Sequence, residues 1–267
     1  MLKLVPDEVL QTLVFPHIDS GIHWYALVST CRAFRESDRR RTVEEVKLCQ
    51  ELWPDVMQEY AFSGNLPLVQ WLRSSGGPWN ELVCAHAARG GHLEILQWAR
   101  ENDCPWNEWT SAFAAENGHL EVLKWAKKNG CRWDELTCGY AAKRGYLKIL
   151  QWARENGCPW DEWTCTDAAE EGHLDVLKWA RENGCPWSIL TCTSAAFGGH
   201  LKVLQWAREN ECPWDEETCS GAAFGGHLEI LKWLRDNGCP WDEDTCHQAW
   251  REGHLEVLQW ARENGCP

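Results

Sequence analysis

The protein has 267 residues, of which 40 are acidic and 26 are basic, so its formal net charge at pH 7 is −14. This excess of negative charge repels phosphate backbones and anionic lipid, and we therefore expect no nucleic-acid partner and no membrane association. The opening sequence MLKLVPDEVLQTLVF places Asp7 and Glu8 where a signal peptide carries an uninterrupted apolar segment, and no apolar run reaches membrane-spanning length.

Residues 1–49 lack the repeat that governs the rest of the chain, and apolar residues at helical spacing after Pro6 predict a helix there. The Pro-x-Glu-hydrophobic start at Pro6, followed further on by Leu-Val-Ser at Leu27 and a basic-aromatic stretch, resembles an F-box. That resemblance implies a Skp-type adaptor of a cullin ubiquitin ligase as a partner. The implied contact residues are Pro6, Leu10, Leu13, Leu27 and Val28. The alternative is a helical cap that shields the first repeat from water.

The remainder of the chain, residues 50–267, repeats one sequence every 27 residues. Tryptophan keeps this interval from Trp71 to Trp260, and a glycine series and a cysteine series share it, which defines eight repeats ending near Gly265. A repeat this short cannot bury a core alone and does so only by stacking on its neighbours. The period therefore predicts an array rather than a globule.

Each repeat is predicted to contain two helices, which we call helix A and helix B. Helix A follows a Pro-Trp pair and a residue of N-cap type, such as Asp161 with Glu162 behind it, whose side chains suit a helix start. It runs about ten residues through an Ala-Ala pair to Gly172, where a left-handed turn reverses the chain. Helix B follows in the sequence HLDVLKWARENG, has a broad apolar face, and ends at Asn183 and Gly184.

The pattern T…AA..GHL.VL.WA...G resembles the ankyrin repeat, in which Thr opens helix A, an Ala pair packs it and Gly-His turns the chain. The ankyrin repeat runs to about 33 residues, and the residues missing here fall where it extends a β-hairpin finger. Period and resemblance together predict an all-α fold: a helix-turn-helix solenoid of about eight ankyrin-like repeats with a small helical N-terminal segment. In this fold a Cys-Pro-Trp turn replaces the finger, and Trp160 and its equivalents fill the space between adjacent repeats.

Fifteen cysteines would suggest disulfide bonds in a short secreted chain, but their spacing argues against them. Equivalent cysteines in adjacent repeats are expected at a helix-packing distance of roughly 8–10 Å, beyond the limit of about 7 Å between Cα atoms for a disulfide. Pairs within a repeat, such as Cys158 and Cys165, match neither CxxC nor a usual zinc spacing. We therefore expect reduced, structural cysteines and an intracellular location, cytoplasmic or nuclear. Zinc binding and regulated oxidation are the alternatives.

Two other recurring residue types, tryptophan and histidine, invite a ligand-binding interpretation. The tryptophans stand beside Leu and Ala at helical spacing in every repeat, so we expect them in the core rather than stacked on a ligand. A histidine after the turn glycine, such as His173, is expected to bond a neighbouring backbone carbonyl, because Tyr146 replaces it in one repeat without a compensating ligand. The sequence carries no phosphate-binding glycine loop and no nucleophile with a placed base, so we predict no cofactor, no metal and no enzymatic activity.

A few positions of helix A change in nearly every repeat while the framework stays constant. Offsets of three and four residues place these positions on one helix face, and the ankyrin resemblance implies that this helix lines a concave, partner-binding surface. Aromatic and basic side chains among them, such as Phe197 and Arg89, have the composition of protein-binding hot spots. The predicted partner-binding residues are His86, Arg89, Phe113, Glu116, Tyr140, Lys143, Asp167, Glu170, Phe197, Phe224, Gln248 and Arg251.

The sequence therefore predicts a monomeric, non-enzymatic interaction scaffold that binds a protein or a peptide through the variable face of its A helices. If residues 1–49 form an F-box, the chain is instead the substrate receptor of a cullin ubiquitin ligase. The third hypothesis is an enzyme or a metal-binding stack, which metal analysis of the purified protein would distinguish. For the variable face, the alternative is that exposed positions drift without function. Bare phenyl rings such as that of Phe224 seldom arise by drift on a solvated face, which favours a binding surface.

Overall fold

The computed structural model describes residues 55–74, residue 77 and residues 79–267. The F-box-like residues lie outside this described part of the chain: Pro6, Leu10, Leu13, Leu27 and Val28. The chain divides into two compact units, which we call the N-terminal unit (Met1–Thr110) and the C-terminal unit (Ser111–Pro267).

Every regular element among the described residues is an α-helix, and the helices come in pairs that recur every 27 residues. The A helices are 55–62, Glu81–Arg89, Glu108–Glu116, Glu135–Lys143, Glu162–Glu170, Ile189–Phe197, Glu216–Phe224 and Glu243–Arg251. The B helices are Leu66–Ser74, Leu93–Glu101, Leu120–Lys128, Leu147–Glu155, Leu174–Glu182, Leu201–Glu209, Leu228–Asp236 and Leu255–Glu263. The predicted all-α fold of stacked helix-turn-helix repeats is confirmed.

Local chemistry sets the two ends of each A helix, as the repeat that begins at Asp161 shows. Oδ1 of Asp161 accepts a hydrogen bond from the backbone N–H of Trp163 at 3.1 Å, which satisfies one of the free amides at the helix start. After the helix, Gly172 has a φ of +78°, a left-handed conformation that suits glycine. Helix B of this repeat, Leu174–Glu182, ends before Gly184, whose φ is +82°. The cap and turns predicted for this repeat are confirmed, whereas the side chain of Ser188, at the equivalent position of the next repeat, accepts no cap hydrogen bond.

Small side chains let consecutive A helices of the C-terminal unit pack closely against one another. In helix A of the repeat described above, the side chains of Cys165, Ala168 and Ala169 are fully buried. Helix B contributes larger apolar side chains, of which Leu177 is fully buried. Consecutive B helices approach each other less closely than consecutive A helices do. The core therefore lies between the A helices and beneath the B helices.

The framework tryptophans are half-buried, so the prediction that they belong to the core is wrong. The Trp160 ring meets that of Trp179 edge to face with 5.8 Å between centroids, and the guanidinium carbon of Arg154 lies 4.0 Å from the Trp160 centroid. The reason is the wider spacing of the B helices. The indole rings and the aliphatic parts of the arginine side chains fill the space between these helices, and the ring edges stay in contact with water. Trp160 does fill space between adjacent repeats, but near the surface.

The turn histidines bond to the backbone of the preceding repeat, as predicted. Nε2–H of His173 donates to the carbonyl oxygen of Lys143 at 3.1 Å, and Nε2–H of His227 donates to that of Phe197 at 2.9 Å. The imidazole also lies against the turn glycine of the preceding repeat, since a Cβ added to Gly145 would be 2.7 Å from Cε1 of His173. This close approach, together with the left-handed φ, explains why the turn position carries glycine.

The described cysteines are free and buried, as predicted, and they form hydrogen bonds between repeats. The Cys185 thiol donates to the carbonyl oxygen of Asp161, the residue that precedes helix A of the repeat before, at 3.3 Å. A hydrogen bond with Cys185, and then burial, raise the pKa of the Cys165 thiol. The thiols in contact are therefore Cys165 and Cys185, from adjacent repeats, and not Cys158 and Cys165 of one repeat. The reason is that helix A packs against the Cys-Pro-Trp turn of the following repeat.

Candidate functional site

The helix A positions that vary between repeats lie on one accessible surface of the C-terminal unit, which we call the A-helix face. Each A helix contributes side chains at offsets of four and seven residues, which share one side of the helix. The face comprises Leu136, Trp163, Leu190, Glu217 and Asp244 in the first position, Phe113, Tyr140, Asp167, Ser194, Gly221 and Gln248 in the second, and Glu116, Lys143, Glu170, Phe197, Phe224 and Arg251 in the third. None of these side chains is fully buried.

The twelve predicted partner-binding residues divide between the two units. Ten of them lie on the A-helix face, and the other two, His86 and Arg89, belong to the N-terminal unit. There the His86 ring bonds through Nδ1 to the carbonyl oxygen of Leu82 in its own helix at 2.9 Å. The guanidinium carbon of Arg89 lies 5.9 Å from the centroid of the Phe62 ring. The two residues are therefore engaged with their own unit.

Two phenylalanines of adjacent A helices form an apolar patch on the face. The ring centroids of Phe197 and Phe224 are 5.2 Å apart with the ring planes at 47°. The guanidinium carbon of Arg251 lies 5.1 Å from the centroid of Phe224. Phe197 is 40% exposed, so a large part of this patch meets water and is open to another molecule.

Ion pairs join neighbouring repeats at the third position of the face or directly after it. Nη2 of Arg144 lies 3.1 Å from Oε1 of Glu116, and Nζ of Lys143 lies 4.0 Å from Oε1 of Glu170. Exposed pairs of this kind contribute at most about 1 kcal/mol. The predicted contact residues Glu116, Lys143 and Glu170 are therefore paired, in contacts weak enough for a partner to replace.

Asp167 is a half-buried carboxylate near the middle of the face. Burial raises the pKa of its carboxyl group to about 6, while Lys143 opposes the rise and Glu170 adds to it. Within the described residues the carboxylate of Asp167 forms neither a hydrogen bond nor an ion pair. A Cβ added to Gly139 of the preceding A helix would lie 3.3 Å from its Oδ2. Burial also raises the pKa of Tyr140, and the charge of Asp167 contributes to that shift.

Three apolar residues of the face were not among the predicted binding residues: Leu136, Trp163 and Leu190. Trp163, four residues before Asp167, is 54% exposed, and Leu136 on the preceding A helix is 38% exposed. Leu and Trp in the first turn of a helix look like core residues when only residue types are considered. The signal that identifies them is the presence of Glu217 and Asp244 at equivalent positions, because a buried position does not accept an unpaired carboxylate.

The described residues hold no group of three or more His, Cys, Asp or Glu side chains placed to bind a metal ion. In the same part of the chain, no helix combines the length and the apolar character needed to cross a membrane. What the A-helix face does present is a mixture of exposed aromatic rings and charged groups, the composition of a surface that contacts other chains.

Comparison with known proteins adds structural neighbours to this description. No protein-family model matches the chain, and no curated protein sequence matches it. The structure is similar to that of the ankyrin repeat domain of human ASB11, with a TM-score of 0.48 and 16% sequence identity, covering 59% of this chain and 84% of that chain. The fold assignment rests on the helix pairs and turns described above.

Proposed function

We propose that the protein is a non-enzymatic interaction scaffold whose A-helix face binds a segment of another protein. The observation that carries this proposal is the exposure of large apolar side chains on a face that changes between repeats: Leu136, Trp163 and Phe197 are 38%, 54% and 40% exposed. Contiguous exposed apolar surface of this kind marks interaction sites in soluble proteins. Tryptophan, tyrosine and arginine are also the residues that dominate binding energy at protein interfaces.

The separation of framework positions from face positions supports the same function. Leu177 and Ala168 build the core, while Asp161 caps a helix and His173 ties one repeat to the next. None of these residues lies on the A-helix face. The face can therefore change without loss of packing or capping, and an array of repeats acquires a binding surface in this way.

The double substitution Phe197→Ala and Phe224→Ala is expected to abolish capture of the partner while changing stability little. Both rings lie on the face rather than in the core, so we expect a loss of about 1 kcal/mol in the free energy of unfolding. The measurement compares thermal unfolding with affinity capture from cell lysate, read by mass spectrometry, for the full chain and the double variant.

Leu255→Ala is the control, since Leu255 is an apolar side chain with 70% exposure on a B helix. We expect this variant to capture the same proteins as the wild type. A double variant that loses several kcal/mol of stability would show that the two phenyl rings belong to the core. A stable double variant with unchanged captured proteins would place the binding surface elsewhere.

A second function is favoured by the F-box-like sequence that begins at Pro6: a substrate receptor that joins its bound partner to a cullin ubiquitin ligase through a Skp-type adaptor. The test is affinity capture with the full chain beside a chain that lacks residues 1–48. If only the full chain brings down the adaptor and the cullin, the N-terminal segment is an F-box. If both chains bring down the same proteins without ligase subunits, the segment acts only as a cap.

We also propose that the chain acts as a monomer in the cytoplasm or the nucleus. The free thiols described above support a reducing compartment, because paired thiols in an oxidising one tend to form disulfides. The net charge of −14 supports a monomer, because copies of the chain repel one another.

A further inference from the structure

Asp167 shares the centre of the A-helix face with two aromatic residues. On its own helix Trp163 stands one turn earlier and is 54% exposed. On the preceding A helix Tyr140 occupies the position equivalent to Asp167, and the two residues interact electrostatically. A ligand group that approached this carboxylate would therefore also meet aromatic surface.

The charge of Lys143 favours the ionised form of Asp167, but it offsets the effect of burial only in part. Among the described residues no N–H or O–H donates to the Asp167 carboxylate. The nearby ammonium of Lys143 forms its ion pair with Glu170, at 4.0 Å between Nζ and Oε1. Removing a charge from water without a partner is unfavourable, and the rise of the Asp167 pKa to about 6 is a consequence of that burial. A cation brought by another molecule would supply the missing partner.

The charges around Asp167 are complementary to a positive ligand. Carboxylates outnumber basic groups among the residues that act on Asp167: Asp161, Glu170 and Glu171 against Lys143. Because Lys143 forms its ion pair with Glu170, the excess of negative charge lies on Asp161, Asp167 and Glu171. The net charge of the chain, −14, attracts a positive segment from a distance as well.

We propose that the segment bound by the A-helix face carries an arginine whose guanidinium group pairs with Asp167 and stacks on Trp163. This inference rests on the function proposed above and adds the chemistry of the ligand. A guanidinium group offers two parallel N–H donors to a carboxylate and a flat face to an indole ring, whereas the ammonium group of lysine is a compact point charge. Arginine is therefore the better ligand of the two.

Binding of this arginine is expected to weaken as the pH falls from 7 to 5. The titratable groups that act on Asp167 are Tyr140 and Lys143 of the preceding A helix and Asp161, Glu170 and Glu171 near its own helix. The following A helix carries Ser194 at the equivalent position, which does not titrate in this range. A carboxyl group with a pKa of about 6 is roughly nine-tenths ionised at pH 7 and about one-tenth ionised at pH 5, and only the ionised form pairs with guanidinium. Affinity should therefore fall about tenfold.

The test selects ligands for the full chain from a random dodecapeptide library displayed on phage at pH 7. We expect the enriched peptides to share an arginine. Replacing this arginine by citrulline, which keeps the shape and removes the charge, should weaken binding at least about tenfold in titration calorimetry, and lysine should weaken it less. On the protein side, Asp167→Asn should cause a similar loss and remove the pH dependence. The control Asp175→Asn, which deletes the same charge from an exposed B-helix position, should leave affinity within about twofold.

Equal binding of the arginine and citrulline peptides would overturn the proposal, and so would a library that yields no ligand. If a peptide without arginine still loses its binding on Trp163→Ala, the A-helix face binds as proposed and only the arginine is wrong. If Trp163→Ala and Phe197→Ala both leave binding unchanged, the proposed function fails as well. The citrulline peptide is tested on the unaltered protein, so misfolding of a variant does not enter that comparison.

Discussion

Replacing Ala169 by tryptophan is expected to lower the free energy of unfolding by about 3 kcal/mol or more. Ala169 is fully buried on the side of the C-terminal unit where consecutive A helices pack closely. An indole ring has no space there, so the neighbouring A helices must separate or the ring must turn out of the core and displace its own helix. Urea unfolding followed by circular dichroism measures the loss.

The chain contains a matched control for this substitution. Trp250 occupies the position equivalent to Ala169 in helix Glu243–Arg251, and it is 62% exposed. Trp250→Ala removes the same side chain from an exposed place, where the indole ring stacks on His247 at 6.2 Å between centroids, and we expect a change of about 0.5 kcal/mol or less. If Ala169→Trp unfolds at the same urea concentration as the wild type, the A helices are not packed as closely as described.

Leu177→Ala lowers the free energy of unfolding by about 2–5 kcal/mol. Leu177 has no exposed surface in helix Leu174–Glu182, where it packs between helix B and the A helices. Its truncation removes apolar contacts and leaves a cavity that rigid helices cannot collapse to fill. Arrays of repeats can unfold in steps, so the whole urea curve is compared rather than its midpoint alone.

The same substitution at Leu136 is the control. Leu136 lies on the A-helix face and is 38% exposed, so Leu136→Ala should cost about 1 kcal/mol or less. Comparing Leu177→Ala with Leu136→Ala therefore distinguishes the loss of stability due to burial in the core from any loss due to the leucine-to-alanine change itself. Equal losses at the two positions would contradict the assignment of Leu136 to an open face.

The sequence predicts those parts of the fold that depend on neighbouring residues along the chain. Asp161 caps a helix because its side chain reaches an amide two residues away, and Gly172 turns the chain because its own backbone permits a positive φ. The bond from His173 to the preceding repeat was also predictable, since the period places a histidine after the turn glycine in several repeats. The same bond is formed by His92, His227 and His254. Such features need no knowledge of distances between helices.

Features that depend on the spacing between repeats were harder to predict. The tryptophans are half-buried because the B helices stand further apart than the A helices. The 27-residue period gives the order of the helices but not the distances between them, so this difference could not be predicted from the sequence. The contact of Cys165 with Cys185 arises for the same kind of reason, from the docking of one repeat on the next. Separation along the chain is a poor guide to these contacts.

Variation between repeats singles out the helix A positions that include Asp167 and Tyr140, and their binding of a partner stays a prediction. This variation did not show that Lys143 pairs with Glu170 and leaves Asp167 without a partner, because that depends on side-chain conformations across two helices. The exposure of Trp163 likewise follows from the path of helix A and not from its residue type.

Site-specific photo-crosslinking tests most directly whether the A-helix face binds the partner. The photoreactive residue p-benzoylphenylalanine is placed at Leu136 or Glu217 on the face, and at Lys148 or Lys202 on exposed turns of two B helices. We predict covalent adducts with the same partner protein from both face positions and none from the B-helix positions. Adducts from Lys148 or Lys202, with none from Leu136 and Glu217, would contradict the proposed binding surface.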